Sequence, residues 1–150
     1  MVTKLPKERD FDPYGGGLDE QWAWKNFGGL TLDEAYEKFV SAPELYQENF
    51  MFMGERAFAF YYPVIDRFLR ETIDLPVDER GDRQSWILPH CIRGQFIPAN
   101  RRYVSALKQP VIDLCEFMLQ HIQCFADDWD DPTEIENNWR HLQEHVRQYK

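Results

Sequence analysis

The feature that most constrains this chain is the run from Ala57 to Ile65, Ala-Phe-Ala-Phe-Tyr-Tyr-Pro-Val-Ile, inside a longer helical pattern from Glu55 to about Thr72. Ala57, Phe58, Tyr61, Ile65, Phe68 and Leu69 recur on one stripe at helical spacing. Phe60, Tyr62 and Val64 make its first half apolar on nearly all sides, and such a helix belongs at the centre of a fold. Other elements must surround it. Pro63 sits inside the run, so the spacing predicts either a kink there or two helices, the second with Pro63 in its first turn. The run is also much shorter than the roughly 20 residues a membrane helix needs.

The surrounding elements announce themselves by their ends. Thr31-Leu32-Asp33-Glu34 is a capping box, followed by Ala35, Tyr36 and Phe39 at helical spacing. Pro43 ends that helix or starts a short one through Leu45, Tyr46 and Phe50. Val111, Leu114, Cys115, Met118, Leu119 and Ile122 mark another strong helix, with Pro110 suited to its first turn. The last helix has Asp131 as N-cap, Pro132 in first position and Glu134 in third. Its stripe of Ile135, Trp139, Leu142, Val146 and Tyr149 is narrow and must dock on the domain or on a partner.

Between these elements the chain is punctuated. Pro6, Pro13 and Gly15-Gly16-Gly17 make residues 1–17 an irregular lead-in. Residues 18–29 carry Trp22, Trp24 and Phe27 between two glycine groups and read as a loop or a short turn of helix. Pro76, Gly81, Pro89, Gly94 and Pro98 predict a long irregular connection over 74–100, with a short strand or helical turn around Trp86-Ile87-Leu88. The expectation is a mainly α, single-domain helical fold of about five helices over 18–150. A chain of 150 residues with 43% apolar and 15% aromatic content can build one core, burying about 70% of its unfolded surface.

Charge narrows the function classes. The formal net charge is −9, which opposes nucleic-acid backbones and anionic membranes and favours a basic protein partner. From Arg83 to Ile112 there are five cations (Arg83, Arg93, Arg101, Arg102 and Lys108) and no acid, so the remainder carries −14. Arg93, Arg101 and Arg102 are candidates for an anion site, although pairing of this block with the acidic segments is the favoured reading. The densest acidic point is Asp127-Asp128-Trp129-Asp130-Asp131. Asp131 and Glu134 suit a helix N-terminus, but Asp127 and Asp128 exceed that need, and Asp130 stands beside them. With Trp129 as anchor they are the candidate partner-binding surface.

Signatures of chemistry are sparse. His141 and His145, four residues apart on the last helix, present both imidazoles on one face and are the metal candidates, but His-Glu-x-x-His is missing and a third ligand is not supplied nearby. The acidic run lacks the register of an EF-hand. Neither a Gly-x-Ser-x-Gly elbow nor a phosphate loop is present. Cys91 beside His90 is a neighbour pair of the kind that rarely forms a dyad. Three widely spaced cysteines read as reduced and structural, and the N-terminus has no apolar stretch of signal-peptide length, so a cytoplasmic chain without a cofactor is expected.

The stretch Phe50-Met51-Phe52-Met53-Gly54-Glu55-Arg56-Ala57-Phe58-Ala59-Phe60-Tyr61-Tyr62-Pro63-Val64-Ile65 is similar to small bacterial helical proteins in which an Ala-Phe-x-Tyr-Tyr-x-Pro helix sits mid-chain. Here Pro63 follows the tyrosines directly. Several of those proteins resemble immunity proteins, which bind and neutralise a toxin of the same cell. The resemblance spans roughly residues 30–125 and implies a bacterial, protein-binding, non-enzymatic domain. Two other functions are expected to compete with it: metal or small-molecule binding through His141 and His145, and a homodimer paired through the stripe of the last helix.

Overall fold

The computed structural model describes residues 2–80, 83, 87–126 and 131–150. Among them the chain is mainly helical and contains no strand. Six helices have eight residues or more: α1 (Leu18–Phe27), α2 (Leu32–Ser41), α3 (Glu55–Thr72), α4 (Leu88–Gln95), α5 (Lys108–Gln120) and α6 (Pro132–Gln148). One-turn helices at Glu8–Phe11, Pro43–Tyr46, Asn49–Phe52 and Arg101–Val104 link them.

The apolar run forms one continuous helix. Eleven of the 18 residues of α3 are buried, which places it at the centre of the N-terminal half. Pro63 lies inside α3 without ending it. The reason is its placement on the exposed side, where the missing N–H falls away from the core. Phe39 packs edge-on to Phe68 at 4.8 Å, and this contact carries α2 onto α3. Tyr61 donates its hydroxyl to the carbonyls of Phe27 (2.9 Å) and Leu30 (2.8 Å), tying the end of α1 to α3.

The C-terminal half is built on α6. Ile135, Trp139, Leu142 and Val146 are buried against the chain's own α5 and α4. The stripe therefore packs within the molecule, on the domain rather than open at its surface. The start of α6 follows its sequence signals, with Asp131 Oδ1 accepting from Thr133 N–H at 2.9 Å and Pro132 in the first turn. The capping box at Thr31 is also formed in both directions.

Three segments differ from expectation. The segment expected as a loop or short turn is the ten-residue helix α1. The connection over 74–100 contains α4, whose Leu88, Cys91, Ile92 and Gln95 are buried. Pro89 falls in its first turn and Gly94 in its last, where both are tolerated. Leu88 is thus helical, while Trp86 lies outside the described residues. The lead-in holds the turn Glu8–Phe11, with Phe11 fully buried between Trp24 (5.3 Å) and Tyr61 (5.8 Å).

Candidate functional site

A groove of about 300 Å³ opens where the N-terminal segment crosses the front of α3. Its position follows from local chemistry. Phe11 anchors the turn in the core. Gly15 and Gly16 then adopt φ of +76° and +79°, a region that disfavours other residues, and the chain reverses into α1. Asp12 Oδ2 accepts from Gly17 N–H (3.3 Å) and Gln21 Nε2 (2.8 Å), which fixes the start of α1. Gly54 N–H donates to Phe11 O at 2.8 Å. A Cβ at Gly54 would lie 2.2 Å from Asp10 O, so only glycine lets the two backbones pass. Arg56 and Asp10, an ion pair at 2.7 Å, tie the turn Glu8–Phe11 to α3 without lining the groove.

The opposite wall is pinned by a buried amide. Gln95 Nε2 donates to the carbonyls of Phe50 (2.9 Å), Met51 (3.2 Å) and Met53 (2.7 Å), while Asn100 Nδ2 donates to Gln95 O and Oε1. These bonds hold α4 against the turn Asn49–Phe52 and leave Met51, Met53 and Ile97 as an apolar floor. Asp12, Glu20 and Glu55 supply the charge, and Tyr14 stands at the rim, 95% exposed.

The residues singled out from sequence fall elsewhere. Asp127, Asp128, Trp129 and Asp130 lie outside the described residues. Arg93, Arg101 and Arg102 are exposed, and among the described residues the ion pairs use no cation from 83–112. Arg83 instead donates to Phe68 O (3.0 Å) and lies over the Phe68 ring, and Lys108 donates to Tyr149 O (2.8 Å). Arg102 lies over the Tyr103 ring. Arg101 and His145 meet in a hollow of about 320 Å³ with Phe96, Tyr149 and Lys150; Arg93 and Arg102 do not line it.

His145 Nε2 is engaged with Phe96 O at 2.8 Å, and His141 is exposed. No group of three or more His, Cys, Asp or Glu suited to a metal forms among the described residues. Cys91 is fully buried, and desolvation, with the nearby Glu48 charge, pushes its thiol up to about 12. Its Sγ faces Gln47 O, whereas the neighbouring His90 is exposed. A thiol held protonated in this way is a poor nucleophile. Burial likewise pushes Cys115 up to about 12.

Sequence reasoning missed the groove. Its one local signal was Asp12-Pro13 followed by three glycines ahead of an aromatic segment, a turn signature that says nothing about the wall supplied by α4. No helix among the described residues is long and apolar enough to cross a membrane. The chain matches no family model, no curated protein and no solved structure.

Proposed function

We propose that this chain is a non-enzymatic protein-binding domain for a basic partner, in the manner of the immunity proteins its central segment resembles. The observation that carries this reading is the groove: three carboxylates and an exposed tyrosine line it, and no lysine or arginine does among the described residues. An apolar floor with a charged rim is the anatomy of a protein contact. The −14 carried outside residues 83–112 would steer a basic protein towards it at low ionic strength. Asp127, Asp128, Trp129 and Asp130 extend the same proposal to the segment before α6.

Affinity capture from native cells tests it. The tagged chain is expected to retain a basic protein at low salt and release it as salt rises, because exposed charge contacts are screened within about 10 Å at 0.1 M salt. Joint substitution of Asp127, Asp128 and Asp130 by Asn is expected to weaken capture. Recovery of nothing at low salt, or of a partner indifferent to salt, contradicts the reading.

A further inference from the structure

Asp12 is only 6% exposed, yet no cation among the described residues pairs with it. Its Oδ2 is occupied by Gly17 N–H and Gln21 Nε2, and no described donor reaches Oδ1. Oδ1 is not sealed off as a buried orphan atom, so it can accept from a ligand's donor. Glu20 adds to it: its Oε2 lies 1.5 Å from where a Gly17 Cβ would stand, so both carboxylates flank one glycine. Glu20 and Glu55 sit in the first turns of α1 and α3, where acids suit the helix dipole. Two helix N-termini supply together only about one positive charge, against three carboxylates. The groove remains negative.

The shape selects the cation. The carboxylates do not form a metal-holding group among the described residues. The volume, about 300 Å³, is at the low end of the roughly 300–1,000 Å³ typical of ligand sites. It suits one long side chain with a charged head and an apolar stem. A guanidinium offers five donors in a plane, enough to serve two carboxylates and to stack on an aromatic face at once. We propose that the groove seats an arginine side chain of a partner protein, with the guanidinium between Asp12 and Glu20, one face on Tyr14 and the methylenes on Met51 and Ile97. This rests on the protein-binding reading and names the chemistry it recognises.

The test is a titration of the full, ¹⁵N-labelled chain with acetyl-arginine amide at low salt, followed by amide chemical shifts. Shifts are expected at Asp12, Tyr14 to Gly17, Glu20, Gly54 and Gly94, weaker ones with acetyl-lysine amide, and none there with the neutral isostere acetyl-citrulline amide. Asp12→Asn keeps an oxygen for Gly17 and Gln21 and is expected to weaken arginine binding roughly tenfold. Gly94→Leu fills the groove and removes binding without touching charge. Gly94→Ala retains it, since a Cβ there meets only Met51 Cγ at 3.7 Å. Equal shifts with citrulline, shifts scattered over the surface, or a titration unchanged in both Asp12→Asn and Gly94→Leu would overturn the assignment. If arginine fails while salt-sensitive capture persists and is lost in the Asp127, Asp128 and Asp130 variant, the groove falls and the binding domain stands. If capture fails while groove shifts persist, the groove's affinity for a guanidinium stands, but its assignment to a partner protein falls with the protein-binding reading.

Discussion

A single buried amide shows how the groove keeps its shape. Gln95 is buried and divides three donations among carbonyls of Phe50, Met51 and Met53. Leucine has similar bulk but no donor, so Gln95→Leu leaves those carbonyls short of a partner and is expected to cost about 3 kcal/mol in urea unfolding. The buried tyrosines make a second prediction. Burial raises the hydroxyls of Tyr61 and Tyr62 above their ordinary 10.0, reinforced at Tyr61 by the Glu34 charge and at Tyr62 by Asp66. The unfolded chain therefore loses these protons first, so their contribution is complete below pH 10 and falls as pH rises beyond it. Tyrosinate absorbance and helical circular dichroism should change together in an alkaline titration. Ionisation of every tyrosine with the helices intact would contradict it. The burial of Tyr61 and Tyr62 was legible in the helical pattern of the central run, whereas that of Gln95 was not, because its partners are carbonyls supplied from a distant part of the chain.

At the scale of the element, legibility followed the strength of end signals. The capping box at Thr31 and the Asp131-Pro132 start both formed, since each is satisfied by residues within four positions. Thr31→Ala is expected to cost about 1 kcal/mol through loss of the oxygen that accepts from Glu34 N–H. The helix α4 was hidden because Pro89 and Gly94 read as breakers, whereas their positions in the first and last turns allow eight residues between Ile87 and Phe96. The helix α1 was hidden for a related reason: its aromatic positions carry a weak stripe, with Trp22 and Leu18 left exposed. Pro63 marks the opposite case, a breaker that an exposed site inside α3 absorbs. Pro63→Ala restores a helical donor at no loss of buried contact and should stabilise the fold by about 1 kcal/mol, read as a rise in Tm.

For the whole molecule, acidity and core are arranged independently. The two halves meet where the turn Asn49–Phe52 packs on α4 and where Arg101–Val104 packs on α3. The apolar stripe of α6, expected to dock on the domain or on a partner, packs on α5 and α4. What the fold leaves outside is charge, together with a few large apolar groups such as Leu18 and, at the groove, Tyr14. The sequence pattern revealed the charge imbalance but not its seat, because the groove joins carboxylates 43 positions apart, from Asp12 to Glu55, across a wall built later in the chain. The most direct measurement is site-specific photo-crosslinking in native cells, with a benzophenone side chain placed at position 14 and, as control, at the also exposed position 77. Position 14 should give one discrete, salt-sensitive adduct whose crosslinked peptide carries an arginine. Adducts equal at both positions, or a crosslinked peptide without basic residues, would contradict the account.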